Sequence, residues 1–233
     1  ILRKSIYDTQ LVSYEKIKAN SYIIFPYKSV NGRPVLYSLD EMTTDFPHAL
    51  AYLNSFKNKL DERNMPGRTT ENWFAFGRSQ SLKRFLAGEH LVWPVLSTSS
   101  NYVYDNDMVV FTGGGNGPFY GIEKKVTSQE SIFYIQAILN HWLMELLVKS
   151  RASTFRGDYY SHGKQFIATL PIYKIDFENP TEVARHQRIV EMVQNIMQLK
   201  EQLASAPNAA RCTVLEHSIT AINAELNIAI DEL

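Results

Sequence analysis

The sequence predicts an α+β protein: a twisted β-sheet domain with packed helices over residues 1–178, followed by an antiparallel, coiled-coil-like two-helix hairpin over 179–233. Three observations carry this reading. Short strand-like runs bounded by turn residues alternate with helical patterns through most of the chain. From Asn179 onward the apolar residues switch to 4-3 spacing. The formal charge, zero overall, also separates along the chain: residues 1–175 carry 20 Lys/Arg against 15 Asp/Glu, and residues 176–233 carry 4 against 9. A basic first part and an acidic tail imply modules with different partners.

The strand-like runs begin with Ser21–Tyr27 and Pro34–Leu39, separated by the hairpin signal Asn31-Gly32. A helix follows from Pro47, with Ala49, Leu50, Leu53, Phe56 and Leu60 as its apolar stripe. A short helix is expected near Ser81–Ala87, stopped by Gly88. Residues 102–122 read as a hairpin of strands around a glycine-rich turn. Thr127 and Glu130 have capping-box spacing and announce a helix carrying Ile132, Ile135, Leu139, Trp142, Leu143, Leu146 and Leu147, ending near Ser150. The segment FIATLPIYKI reads as a strand with Pro171 at an edge or bulge.

In the tail, Asn179, Pro180 and Glu182 mark a helix start. Ile189, Val193, Ile196, Lys200 and Leu203 form one seam, and Leu215, Ile219, Ile222, Leu226, Ala229 and Leu233 the other, joined through SAPNAA. Each arm spans roughly 35 Å at helical rise. So small a hairpin buries little by itself and is expected to dock elsewhere, either on its own domain or on a partner, self-association included.

Composition narrows the chemistry. A hydrophobic content of 45% suffices for a real core, and zero net charge argues against a generic polyanion binder. Cys212 is the single cysteine, so no disulfide framework or cysteine-based zinc site is expected, and a cytoplasmic setting fits. No apolar run approaches the roughly 20 residues of a membrane span. The first residue is Ile1 rather than methionine, and the chain is expected to be a piece of a longer polypeptide.

The run Gly113–Gly115 with Gly117 is not a phosphate loop, because Pro118 and an aromatic strand follow where Lys-Ser/Thr and a helix are needed. Glu123-x-Lys125 with Asp107 upstream matches a Mg²⁺-dependent nuclease pattern, but the same residues fit a solvated turn. The six histidines show no metal-ligand spacing. Neither the Asn/Asp-Pro-Pro-aromatic pattern of adenine methyltransferases nor a glycine-rich loop for S-adenosylmethionine occurs, so methyl transfer by this chain alone is not expected.

Two basic, aromatic segments remain. One, WFAFGRSQSLKRF, presents Arg78, Ser79, Gln80 and Lys83 around a polar turn. The other, Arg151–Lys164, presents Arg151, Arg156, Tyr159, Tyr160 and Lys164 near glycines. Such residues suit phosphate contacts, and Arg and Gln also suit base edges in the major groove. On residue types alone, solvated loops are the plainer reading.

The segment YIQAILNHWLMELLVKSRASTFRGDYYSHGKQFIATLPI resembles the ending of target-recognition (specificity) domains of restriction–modification systems. Its matching features are Leu139-Asn140, the small residues 150–153, Arg156-Gly157-Asp158-Tyr159-Tyr160, Lys164 and Leu170-Pro171-Ile172. WFAFGRSQSL resembles another segment of that family, and the terminal hairpin is similar to the helices that follow each recognition domain in type I specificity subunits. The best match is the domain C-terminal to Taq-type adenine-N6 methyltransferases.

The resemblance implies a non-catalytic module that binds double-stranded DNA sequence-specifically. Arg156 and Lys164 would meet phosphates, Tyr159 or Tyr160 a phosphate or sugar, and Arg78 and Gln80 bases. It places S-adenosylmethionine and Mg²⁺ in a methyltransferase or nuclease domain or subunit elsewhere. Asp158 stands where a second glycine is usual, which brings close approach of DNA at that position into question. The alternatives are a nuclease using Asp107, Glu123 and Lys125, or a protein-docking scaffold.

Overall fold

The computed structural model describes residues 1–79, 81–112 and 117–233. It is an α+β structure of small antiparallel sheets and helices. The chain divides into two compact units. One comprises Ile1–Ile6, Ala19–Gly88 and Asp107–Val110; the other comprises Tyr7–Lys18, Glu89–Asn106 and Phe111–Leu233. The expected boundary at residue 178 does not coincide with this division, because the terminal hairpin shares a core with residues 89–178.

The first unit opens with β1 (Leu2–Ser5) paired antiparallel to β2 (Ser21–Ile24), with Leu2 opposite Ile24. The strand expected over Ser21–Tyr27 is thus two strands, separated at Phe25-Pro26. After it, β3 (Tyr27–Val30) and β4 (Arg33–Leu36) form the expected hairpin. Asn31 and Gly32 both take positive φ, 51° and 73°, as the two central residues of a type I′ turn require.

The capping box Ser38–Glu41 starts α1 (Leu39–Asp45), a signal the sequence reading passed over. The helix expected from Pro47 is interrupted: α2 (Pro47–Ser55) and α3 (Lys57–Asp61) meet at Phe56, which has left helical geometry at φ −110°, ψ 11°. Phe56 is accordingly 41% exposed rather than part of the stripe. Met42, Leu50, Trp73 and Phe74 make this unit's apolar cluster. A 3-10 turn at Leu82–Phe85 replaces the short helix expected there. The Arg3 guanidinium donates to Phe85 O at 2.7 Å and Met108 O at 2.9 Å, holding β1 to two distant segments.

In the second unit, β5 (His90–Pro94) is central, with β7 (Val103–Asp105) on one edge and β8 (Phe119–Glu123) on the other. The two strands expected to form a hairpin around the glycines therefore pair with β5 and not with each other. Between them Asp107–Val110 belongs to the first unit, where Val110 N–H donates to Lys4 O and Ile6 N–H donates to Val110 O. Gly113–Gly115 lie outside the described residues. A second small sheet has the order β6 (Leu96–Ser97), β10 (Tyr159–Ser161), β9 (Thr154–Phe155).

Helix α4 (Ile132–Asn140) is capped by Ser131, whose hydroxyl accepts from Phe133 N–H. The capping box expected at Thr127 and Glu130 does not form; the Ser128 hydroxyl donates to Glu130 instead. The helix expected to run to Ser150 breaks at His141, where ψ is 143°, and α5 (Trp142–Lys149) restarts beyond it. The strand expected over FIATLPIYKI is also overturned. Gly163 leads a single helical turn, α6 (Lys164–Ile167), followed by irregular chain. Pro171 has no N–H to give a ladder. Tyr134 instead pins this segment by donating to Tyr173 O at 3.0 Å.

The terminal helices α7 (Pro180–Ala204) and α8 (Ala209–Asp231) pair as expected and pack on α4. Ile189, Val193, Ile196, Leu215, Ile219, Leu226 and Ala229 of the predicted seams are buried. Val190 and Met192 are buried as well, which widens the apolar face of α7 beyond a two-position seam. Lys200, placed in the seam by spacing, extends its ammonium to Glu15 at 3.3 Å. Among the described residues no helix is long and apolar enough to cross a membrane.

Asn140 ties this unit together. Its Oδ1 accepts from Tyr102 N–H at 2.9 Å and the Ser13 hydroxyl at 3.0 Å, while its Nδ2–H donates to Tyr102 O at 2.9 Å. Asn140→Ala strands these partners and is expected to lower unfolding free energy by about 2 kcal/mol, read from urea denaturation with an unchanged m-value.

Candidate nucleic-acid interface

The segment from Arg151 to Thr169 is closed on itself. Arg151 donates to the Thr169 hydroxyl at 2.9 Å, and that hydroxyl donates to Phe166 O. Between these ends, β9 and β10 form a hairpin with Tyr159 opposite Phe155. Its tip is Arg156-Gly157-Asp158, with φ of 81° at Gly157 and 58° at Asp158.

The conformation explains both residue types. Glycine adopts the left-handed region freely, and aspartate is among the L residues that enter it most readily. Asp158 thus holds a backbone shape that glycine adopts freely, and the turn forms with aspartate there. A carbon branch at Gly157 would meet only the Tyr159 ring, at 3.6 Å, so its dihedral rather than crowding selects glycine.

The foot of the hairpin is fixed by buried chemistry. His162 is 1% exposed, its N–H donates to Val95 O at 2.7 Å, and the Trp93 indole donates to His162 O at 2.9 Å. Its ring Nε2 lies 2.9 Å from Glu145 Oε2, and its Nδ1 lies 3.1 Å from Tyr160 O. The Ser100 hydroxyl donates to the same Glu145 oxygen at 2.7 Å, and Lys149 approaches the other at 3.3 Å. Burial pushes the Glu145 carboxyl up. The hydrogen bonds from His162 and Ser100 and the charges of His162 and Lys149 together outweigh it and hold the group below its ordinary value. Lys149 also lies over the Tyr160 ring, 5.2 Å from its centroid. Sequence reasoning missed Glu145, His162, Trp93 and Ser100, since nothing in their spacing marks a network that only tertiary packing assembles.

Of the nine predicted contact residues, Arg151, Arg156, Tyr159, Tyr160 and Lys164 belong to this unit. All are exposed except the half-buried Tyr160. Lys164 opens α6 rather than standing in the loop. Arg78, Ser79 and Lys83 belong to the other unit and are exposed there. Their turn is also braced from beneath: the Tyr27 phenol oxygen accepts from Phe76 N–H at 2.8 Å and lies 2.9 Å from the Ser79 hydroxyl. Gln80 lies outside the described residues.

The residues of the nuclease alternative divide between the two units. Asp107 is ion-paired with Lys4 at 2.6 Å within the first unit, whereas Glu123 and Lys125 belong to the second and are exposed. Among the described residues no group of three His, Cys, Asp or Glu converges in a way that could hold a metal ion.

No family model matches the chain. It is 29% identical over 199 residues, 84% of its length, to the type II restriction enzyme and methyltransferase RM.Eco57I of Escherichia coli. It is 22% identical over 209 residues, 88% of its length, to the type II methyltransferase M.BanIII of Aneurinibacillus aneurinilyticus. The chain spans 20% of the first relative and 32% of the second.

The Glu145 carboxyl has a lower value folded than its ordinary 4.5. Its contribution to stability is therefore complete above that ordinary value and is lost as pH falls through the folded one. Glu145→Gln is expected to cost about 2 kcal/mol at pH 7, with the gap to the parent protein narrowing steadily in melts taken below pH 4.5. By this comparison with type II restriction and methylation enzymes, the chain is related to the proteins of restriction–modification systems.

Proposed function

We propose that this chain is the sequence-specific, non-catalytic double-stranded-DNA recognition module of a restriction–modification enzyme. It positions DNA for an adenine-N6 methyltransferase, and an associated nuclease, located elsewhere in the polypeptide or complex. The observation that carries the reading is the Arg151–Thr169 segment, in which exposed cationic and aromatic side chains are mounted on a hairpin whose foot is locked by His162 and Glu145. Phosphate contacts need cations and hydroxyls on the surface, and sequence reading needs them fixed in place. Similarity to restriction and methylation enzymes supplies the context.

In this reading Arg151, Arg156 and Lys164 pair with phosphates, and Tyr159 and Tyr160 contact the phosphate or sugar. The turn bearing Arg78, Ser79 and Lys83 supplies a second cationic set. S-adenosylmethionine and Mg²⁺ serve the catalytic domains, and this chain's own residues bind and orient the duplex. One face of the α7–α8 hairpin is spent on α4. Its outward face, where Val214 and Ile228 are 55% and 58% exposed, contacts the partner domain or subunit.

DNA binding is expected to weaken steeply with salt as counterions are released. Arg156→Ala and Lys164→Ala should each lower affinity for all duplexes alike and reduce the slope of log K against log salt by about 1. Fluorescence anisotropy across a salt series measures both quantities. Unchanged affinity in both variants at low salt would remove these contacts from the interface, and Mg²⁺-dependent plasmid cleavage abolished by Glu123→Ala would overturn the non-catalytic reading.

A further inference from the structure

Beside the basic hairpin, the second unit contains an open cleft of about 600 Å³ whose walls include Tyr7, Asp8, Thr9, Leu96, Pro118 and Tyr159. Three of its apolar or aromatic walls are unusually exposed for their size: Tyr7 at 68%, Leu96 at 46% and Tyr159 at 45%. Asp8 is exposed and takes a positive φ of 48°, a conformation that aspartate enters more readily than most L residues. Within this unit the segment leads into Leu11, which is 4% exposed.

A carboxylate at this place is physically conspicuous. Next to a surface that meets phosphates, an exposed Asp repels the polyanion and lowers affinity. It is compatible with DNA where it accepts a hydrogen bond from a donor that DNA offers, and in the major groove those donors are the exocyclic amines of cytosine and adenine. Arg and Lys cannot perform that reading, since they are donors only. The aromatic and apolar walls suit the remainder of a base edge, including the thymine methyl group.

We propose that the Tyr7–Thr9 cleft reads a base pair of the recognised sequence, with the Asp8 carboxylate accepting from the exocyclic amine of cytosine or adenine and the Tyr7 and Tyr159 rings confining that base edge. The cleft deepens the recognition function proposed above and rests on it. Arg156 and Lys164 set affinity; Asp8 sets selectivity at one position.

Selection of bound duplexes from a randomised pool by the 233-residue chain tests both layers separately. The parent protein is expected to return a defined sequence. Asp8→Ala is expected to flatten preference at one base pair by about tenfold and leave the other positions as they were. Asp8→Asn, which carries both a donor and an acceptor, is expected to move a cytosine preference toward adenine and to keep an adenine preference. A duplex with 2-aminopurine at that position lacks the N6 amine. Where the pool returns A·T at that position, loss of the preference in this duplex assigns the adenine N6 amine as the partner and retention overturns the cleft assignment; where it returns C·G, the donor is the cytosine N4 amine. If Asp8→Ala instead tightens binding to every duplex alike, the carboxylate only repels phosphate and the cleft assignment falls while DNA recognition stands. If the parent protein returns no sequence, the recognition function and the cleft fall together.

Discussion

Helix α4 is the constraint on which the second unit is built. Ile132, Tyr134, Gln136, Ala137, Ile138 and Leu139 are all buried, so nearly its whole circumference is out of water. A helix apolar on every side has to be covered on every side. The sheet of β5 and β7 covers one side, and the α7–α8 hairpin covers another. The hairpin is therefore not a free-standing rod. Two helices of this length sharing only a narrow seam would be marginal in water, and the added burial of Val190, Met192 and Ile230 gives them a third partner.

Burying α4 brings its polar side chains inside, where the amide N–H groups of Gln136 and Asn140 meet a specific partner. Gln136 donates to Tyr102 O, and Asn140 bonds both the N–H and the C=O of Tyr102. With the Asn140 side chain held in this way, the helix turns at His141, and α5 leaves along a new line that presents Glu145 to His162. A path of packed and hydrogen-bonded groups thus runs from the core helix to the foot of the basic hairpin. Relative magnitudes identify its strong step. A buried carboxylate hydrogen-bonded to His and Ser contributes about 1.5–3 kcal/mol per bond, whereas the partly exposed Lys149–Glu145 pair adds at most about 1 kcal/mol. Rigidity at the hairpin comes from His162 rather than from the lysine.

The elements legible in the sequence were those decided by local chemistry. Asn31-Gly32 specified its hairpin through φ alone, and Asn179-Pro180 with the 4-3 seams specified α7 and α8. What stayed hidden was decided by partners distant in sequence. Nothing local signals that β7 and β8 flank β5, because the choice depends on the excursion of Asp107–Val110 to pair with Lys4 and Ile6. The break at His141 was invisible for the same reason: continuous helical periodicity from Ile132 to Leu147 says nothing of Tyr102. Phe56 shows the converse error, an apolar residue at the right spacing that the helix discards. At the basic hairpin, residue type exposed the surface cations, while the brace of Trp93, Ser100, Glu145 and His162 emerged only from the fold.

This separation between brace and surface has a consequence for how such a domain works. His162, Trp93 and Glu145 are buried and mutually bonded, so replacing any of them disturbs the packing of β5, α5 and β10 together. Arg156, Tyr159 and Lys164 project from the same framework into solvent, where substitutions ordinarily shift stability by no more than about 0.5 kcal/mol. These exposed side chains can then change without cost to the scaffold that positions them. The recognition function proposed above uses this arrangement, in which contacts can differ while their placement stays fixed. The left-handed pair Gly157-Asp158 completes it: the tip conformation is set by backbone dihedrals and the locked foot, leaving the Arg156 side chain outside the interactions that hold the turn.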